Sequence, residues 1–241
     1  MAFKVVSWED LVLKEVLGEG ASGLISKALF EGDEVAVKVF KGDITSDGLP
    51  QDEMDINISM GTHAHLVDVL AQVKHHPEGK DALMLELIPS SYFNLGLPPT
   101  LQTCSRDVYP DDFSLRLSDV KKILLSMASA CMHMHERGIM HGDFYAHNIM
   151  IDKTSHAILG DFGGASYFEP KEIEIRHGLE RLEVRAFGCL VEEMLTLSKE
   201  DTTDEKSTEA LLRLKERCLS PHSASRPLFS SVYKQLVDIS L

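Results

Sequence analysis

Apolar and polar positions change rhythm partway along the chain. From Ser7 to Leu17 (Val12, Leu13, Val16), from Leu24 to Phe30 and from Glu34 to Phe40 the apolar positions come in short runs, with Gly32-Asp33 between the last two. Short β-branched runs bounded by glycine read as strands joined by hairpins. Gln51 to Met60 has helical composition with acidic residues early, and His65 to Val73 and Ala82 to Leu87 read as strands again. Pro89 to Pro110 carries Ser90-Ser91, Gly96 and Pro98-Pro99 and sustains no period, which predicts a loop or linker. Beyond it the period becomes helical. Val120, Ile123, Leu124, Met127, Ala128, Cys131 and Met134 fall three or four apart within Ser118 to Glu136, with Ser118 as N-cap and Gly138 as the stop. Glu183 to Leu197, Thr208 to Leu219 and Leu228 to Ile239 predict further helices, and Ile149 to Ile151 and Ala157 to Leu159 two short strands. The architecture expected is α+β: a small antiparallel β lobe with one helix, residues 1–88, and a larger, mainly α lobe, residues 89–241.

Composition narrows the partners. With 44% hydrophobic and 26% charged residues, a chain of 241 residues has the material for a packed core. Lys plus Arg number 24 against 38 Asp plus Glu, a formal charge of −14, and such a field repels nucleic acid and anionic membrane surfaces. Cys104, Cys131, Cys189 and Cys218 lie far apart without a C-x-x-C pair, which predicts neither a disulfide framework nor a zinc site and suits a reducing compartment. No signal-peptide pattern opens the sequence, and the longest apolar run, Ile123 to Met134, is too short to span a bilayer and contains two serines. A soluble cytoplasmic protein without membrane insertion is expected.

Three clusters carry chemistry. Gly18-Glu19-Gly20-Ala21-Ser22-Gly23 lies between two strand-like runs. A dinucleotide fold would follow this pattern with a helix; a following strand favours a flap whose backbone N–H groups close over nucleotide phosphates, or else a plain glycine-rich hairpin. Lys38, in Val35-Ala36-Val37-Lys38, would by itself read as a solvent-facing edge lysine. Placed after the glycine cluster, it comes within reach of α- and β-phosphates, with Glu53 the carboxylate to hold it and Asp52 and Asp55 as rivals. The third cluster is His141-Gly142-Asp143-Phe144-Tyr145-Ala146-His147-Asn148, followed by Asp161-Phe162-Gly163. Phosphoryl transfer asks for a carboxylate near the attacking hydroxyl, with an amide oxygen and a second carboxylate for a divalent ion. Asp143, Asn148 and Asp161 are such a set.

In that order the motifs resemble the protein kinase superfamily, from about Trp8 to about Leu236. Val35 to Lys38 is similar to its V-A-I-K strand, His141 to Asn148 to its H-R-D-L-x-x-x-N loop, and Asp161 to Gly163 is D-F-G. Cys218-Leu219-Ser220-Pro221 to Ala224-Ser225-Arg226-Pro227 resembles its late signature, and Glu183 to Gly188 its D-x-x-x-F-G helix start. The nearest flavour is tyrosine-kinase-like, close to kinase domains joined to leucine-rich repeats in some bacterial proteins. The resemblance implies a bilobal fold and an ATP-dependent, Mg²⁺- or Mn²⁺-dependent Ser/Thr-directed protein kinase, with ATP and a protein substrate as partners. Asp143 would be the catalytic base, Asn148 and Asp161 the metal ligands, and Lys38 with Glu53 the phosphate anchor. Gly18, Gly20 and Gly23 would cover the phosphates. Leu17, Ile25, Ala36 and Met150 would sandwich the adenine, Leu85 would be the gatekeeper, and Glu86, Leu87 and Ile88 the hinge.

Some positions depart from the pattern. Gly142 replaces an arginine that normally meets a phosphorylated residue, which implies activity independent of that charge switch. Tyr145 stands where lysine or alanine is usual, Asn57 where an apolar residue is usual, and Glu183 in place of an aspartate. No A-P-E lies between Asp161 and Glu183, so Glu169 or Glu180 is the expected partner of Arg226. A small-molecule kinase of the aminoglycoside or choline type and a pseudokinase scaffold are the alternatives. Cys131, His133, His135 and His141 fit a helix and its exit better than a metal site, and His141 is expected to pack beneath Phe162. Glu192-Glu193 and Glu200 to Glu205 read as solvated surface.

Overall fold

The structure, a computed structural model, describes residues 3–20, 22–42, 49–168, 172–198 and 204–240. Six strands form the first sheet: β1 (Val5–Ser7), β2 (Leu11–Glu19), β3 (Gly23–Phe30), β4 (Asp33–Phe40), β5 (Val69–Lys74) and β6 (Ala82–Glu86), in spatial order β1-β5-β6-β4-β3-β2. The sheet is antiparallel as expected except at one edge, where the short β1, absent from the expected elements, runs parallel to β5. Glu31 (φ 54°) and Gly32 (φ 97°) close the β3–β4 hairpin. Two consecutive positive φ values are what a two-residue hairpin loop requires, so the turn sits one residue earlier than Gly32-Asp33 and Asp33 opens β4.

Alternation along β4 sets the direction of Lys38. Val35 and Val37 pack with Ala28, Phe30, Ala71, Val73, Ala82 and Met84 on one side of the sheet, closed by Val6, Leu11 and Trp8. Ala36 and Phe40 pack with Leu83 and Leu85 on the other, against Met54 of α1 (Pro50–Met60). A strand's side chains alternate, so Lys38 shares the second side, facing α1. His65 to Asp68 leave the expected strand: Leu159 N–H donates to the His65 carbonyl and Leu66 bridges Leu159, tying this loop to the second half of the chain instead.

The second half is mainly helical. Its elements are β7 (Phe93–Asn94), α2 (Leu117–Glu136), β8 (Ile139–Met140), β9 (Ile149–Ile151), β10 (Ala157–Leu159), β11 (Ser166–Tyr167), α3 (Ile173–Leu197), α4 (Glu205–Cys218) and α5 (Phe229–Ser240). The expected apolar stripe of α2 is fully buried in a core shared with α3, α4 and α5. Gly138 (φ 70°) ends α2 as expected, but Arg116, not Ser118, occupies the N-cap, and it pairs with Asp119 at 2.7 Å. The stretch Pro89–Pro110, expected to be a loop or linker, also supplies β7 to a β10-β9-β7 sheet and a bridge between Leu97 and Val108.

α3 begins ten residues before the expected Glu183, at Ile173. Its buried residues all fall from Glu183 onward, so the first part shows no core-facing stripe for a periodicity argument to find. Glu193 is not solvated: only 11% of its side chain is exposed, and Arg106 and Tyr109 donate to it. Part of the acidic stretch Glu200 to Glu205 lies outside the described residues. Within it, Asp204 caps α4 by accepting from Ser207 N–H and meets Lys121 at 3.1 Å. Among the described residues no helix is long and apolar enough to cross a membrane.

Candidate active site

A cavity of about 420 Å³ opens between the first sheet and the helical half. Leu17, Ile25 and Ala36 line its roof, Met150 and Phe162 its floor, and Leu85, Glu86, Leu87 and Ile88 its back. Gly20 and Gly23 line the mouth, where Gly20 N–H donates to the Gly23 carbonyl at 2.9 Å. A Cβ on Gly23 would lie 2.7 Å from the Val39 carbonyl oxygen, so the strand crossing admits no side chain there. Gly18 is the one expected phosphate-side glycine that does not line the cavity; it lies within β2, paired with Ile25. Ala21 lies outside the described residues.

Lys38 reaches across the cavity to an ion pair with Glu53, both side chains nearly buried. Asp52 and Asp55 are exposed and take no part. The register of α1 that puts Glu53 there puts Asn57 one turn on, buried and lining the same cavity. Its Nδ2 donates to the Glu53 carbonyl at 2.8 Å, a back-bond within the helix that gives the amide one partner where the resemblance expects an apolar side chain. Val67, Tyr92 and Asn94, which the sequence did not mark, also line the cavity.

The loop from His141 to Asn148 is held from every side. His141 is fully buried against Phe162, as expected, with ring centroids 5.4 Å apart. Its Nε2–H donates to the Gly160 carbonyl at 3.0 Å, which leaves Nδ1 to accept from Asp143 N–H at 3.3 Å. Asn148 Nδ2 donates to both the carbonyl and Oδ2 of Asp143 at 2.9 Å. Gly160 N–H donates to the Asn148 carbonyl, which sets Asp161 beside this pair. Asp161 has φ 53°, strained for a residue with a Cβ, and it lines the cavity.

Two buried carboxylates brace this loop. Asp107 accepts from Ala146 N–H at 2.9 Å, and His147 lies between Asp107 (3.7 Å) and Asp143 Oδ2 (4.0 Å). An acidic residue in an aperiodic stretch carries no signal of such a role, so Asp107 escaped the sequence reading. Glu183 accepts from Gly142 N–H at 2.9 Å and from His135 Nε2 at 2.6 Å. Burial works to raise the Glu183 carboxyl, but the His135 hydrogen bond and the nearby imidazoles and Gly142 N–H outweigh it and hold its pKa below the usual range.

Comparison with known proteins settles what this arrangement belongs to. The model of the protein kinase domain family matches residues 11–182, which is 172 of the 241 positions. The chain belongs to the protein kinase family. It is 28% identical over 155 residues to a probable serine/threonine-protein kinase of Dictyostelium discoideum, covering 64% of this chain and 9% of that protein. It is 27% identical over 188 residues to the proto-oncogene serine/threonine-protein kinase mos of Sus scrofa, covering 74% of this chain and 54% of that protein. A probable receptor-like protein kinase of Arabidopsis thaliana is 25% identical over 272 aligned positions, covering 97% of this chain and 72% of the relative. This kinase domain thus spans about half the length of mos and under a tenth of the Dictyostelium protein.

Against the family pattern, the departures of this kinase have local causes. Gly142 has φ 76°, and a Cβ there would lie 2.2 Å from the Gly164 carbonyl oxygen, so no arginine fits in this backbone. Tyr145 stacks on His147 at 5.6 Å, and burial together with the charges of Asp143 and Asp107 raises its phenol pKa. Arg226 does not pair with Glu180. It is held by the Ser220 and Arg181 carbonyls, while Glu180 accepts from Phe229 N–H at 2.7 Å at the start of α5. Glu169, the other expected partner, lies outside the described residues.

Proposed function

We propose that this kinase domain transfers the γ-phosphoryl group of ATP, with Mg²⁺, to serine or threonine hydroxyls of a protein. The observation that carries the reading is the Lys38–Glu53 ion pair inside a cavity that Asp161 also lines, with Asp143 and Asn148 hydrogen-bonded to each other beside it. Serine and threonine as acceptors rest on the printed names of the relatives. The division into lobes at Ile88 and Pro89 belongs to the same proposal, as does a cytoplasmic location, which four unpaired cysteines suit.

The residues fit the nucleotide and the ion. Apolar side chains above and below the cavity suit a flat heterocycle, and among the described residues the backbone groups of Leu87 and Ile88 have no protein partner and are free to bond its edge. Mg²⁺ takes one or two protein oxygens and completes its shell with substrate phosphates and water. Asn148 commits Nδ2 to Asp143 and keeps Oδ1 for such an ion, with Asp161 as the second ligand. Bound there, Mg²⁺ would neutralise charge on the transferring phosphates. Glu53 keeps the Lys38 ammonium in line with the α- and β-phosphates. Asp143, oriented by Asn148 and His141, receives the proton of the acceptor hydroxyl.

The test is incubation with radiolabelled ATP and Mg²⁺ and a generic acceptor protein, beside Asp143→Asn and Asp161→Ala. Each substitution is expected to lower transfer by about 10²-fold or more while the chain stays folded. Label on serine and threonine is the expected product. Transfer unaffected by either substitution would refute the assignment. The small-molecule and scaffold alternatives find no support in the family match or the relatives.

A further inference from the structure

We infer that Arg106 is a specificity-determining residue that occupies, from within the chain, the place where a basic side chain of the acceptor would bind. Asp143 does not line the cavity of about 420 Å³. It opens instead into a separate pocket of about 210 Å³, where Leu97, Pro99, Tyr145 and His147 stand around it with Arg106. An acceptor hydroxyl that reaches Asp143 brings its neighbouring residues against these walls. The inference rests on the reading of Asp143 as the catalytic base.

The charges around the pocket show what Arg106 does there. Its Nη2 donates to Glu192 Oε2 at 2.7 Å and its Nε to Glu193 Oε1 at 2.9 Å, so one guanidinium serves two adjacent carboxylates of α3. Glu193 lines a second pocket, of about 230 Å³, which shares Arg106, Asp107 and Tyr145 with the first. Arg185 lines the second pocket only; among the described residues around the first, Arg106 is the one Lys or Arg. Burial raises the pKa of the Glu193 carboxyl, against the hydrogen bonds from Tyr109 and Arg106. A carboxylate in such a place demands a cation beside it. With Arg106 in that role, Glu192 and Glu193 have no charge left for an arginine or lysine of a peptide, and Asp107 is already committed to Ala146 N–H and His147. Leu97, Pro99 and the Tyr145 ring offer apolar contact instead. Nearly half of the Arg106 side chain is exposed, so a guanidinium arriving from solvent finds the same two carboxylates once Arg106 is gone. The kinase therefore takes hydroxyls flanked by apolar residues in preference to basic ones.

The experiment measures kcat/KM for two peptides that differ only in the residues flanking one serine, norleucine in one and arginine in the other. The wild-type chain is compared with Arg106→Gln, which keeps N–H donors but not the charge, and with Arg106→Ala. Arg213→Ala, which removes the same charge from an exposed pair on α4, is the control. The wild-type chain is expected to use the norleucine peptide at least as well as the other. Both Arg106 variants are expected to shift the ratio about tenfold toward arginine, and Glu193→Gln added to Arg106→Gln to remove most of that shift. Arg213→Ala is expected to leave the ratio within about twofold. The Kd of the same peptides, fluorescein-labelled, with Mg²⁺ and a non-hydrolysable ATP analogue, gives a readout that needs no chemistry. A wild-type chain that already prefers the arginine peptide by about tenfold overturns the inference, and this holds even where a variant unfolds. Folded Arg106 variants that keep the wild-type ratio, an equal shift in Arg213→Ala, or no peptide binding by any form overturn it as well. If the Arg106 variants shift the Kd ratio while no form transfers phosphate, the inference stands and the proposed activity falls.

Discussion

Gly142 is a residue whose identity is dictated by two atoms. Its positive φ and the Gly164 carbonyl oxygen, 2.2 Å from where a Cβ would be, leave room for hydrogen alone. Gly142→Ala is therefore expected to strain the loop by about 1–3 kcal/mol and to displace its neighbour Asp143. Thermal melting should show the loss, and kcat should fall more than nucleotide affinity does. Asn57 makes the opposite case. It is buried in α1 with only a back-bond to its own helix, so Asn57→Leu is expected to raise stability by about 1 kcal/mol in a denaturant titration. The sequence pointed to both positions as departures from a pattern. What it could not supply was the cause, because a clash between residues 142 and 164 depends on how the second segment folds back.

At the scale of elements, α3 acts as a brace as well as a core helix. Glu183 hydrogen-bonds Gly142 N–H and His135 at once, joining α3, α2 and the loop that carries Asp143. Glu183→Ala leaves a buried N–H and an imidazole unpaired and should cost about 3 kcal/mol or more, read from denaturant unfolding. Glu183→Gln keeps an acceptor for Gly142 and should cost less. The buried part of this helix was legible as a period of three and four from Val184 to Met194. Its first ten residues bury no side chain, and periodicity has nothing to register there. The same reasoning explains the strands: β4 and β6 were plain as largely apolar runs of eight and five residues, whereas β1 and β7, of three and two, are too short to show a pattern. The site was more legible than the fold around it, because Lys38, Asp143, Asn148 and Asp161 sit at motif spacings while their braces, Asp107 and Glu183, come from distant segments.

Across the whole molecule, a run of stacked histidines joins segments far apart in the chain. His63, after α1, packs on His133 of α2 at 4.7 Å and on His65 at 5.6 Å, and His65 packs on His156 at 5.0 Å. His63 Nδ1 accepts from His65 N–H, so its Nε2 donates to Ser129 Oγ at 3.1 Å. Burial first, then the neighbouring His133, His65 and Arg137, lower the His63 pKa from 6.5 to about 4. A histidine neutral in the fold and protonated in the unfolded chain contributes stability that is present above pH 6.5 and is lost as pH falls toward about 4. The melting temperature should drop across that window, and His63→Gln should flatten the slope. Where the two halves join, the chain leaves β6 at Glu86 and is caught again by β7 at Phe93, with Pro89 between them and Tyr92 bonded to His156 at 2.9 Å. Clamped at both ends, those few residues are a short fixed link, and any rotation of one half against the other would have to turn about it. A glycine-serine insertion after Pro89 would turn that rotation into a loose tether, separating the grip on a nucleotide from the alignment of Asp143.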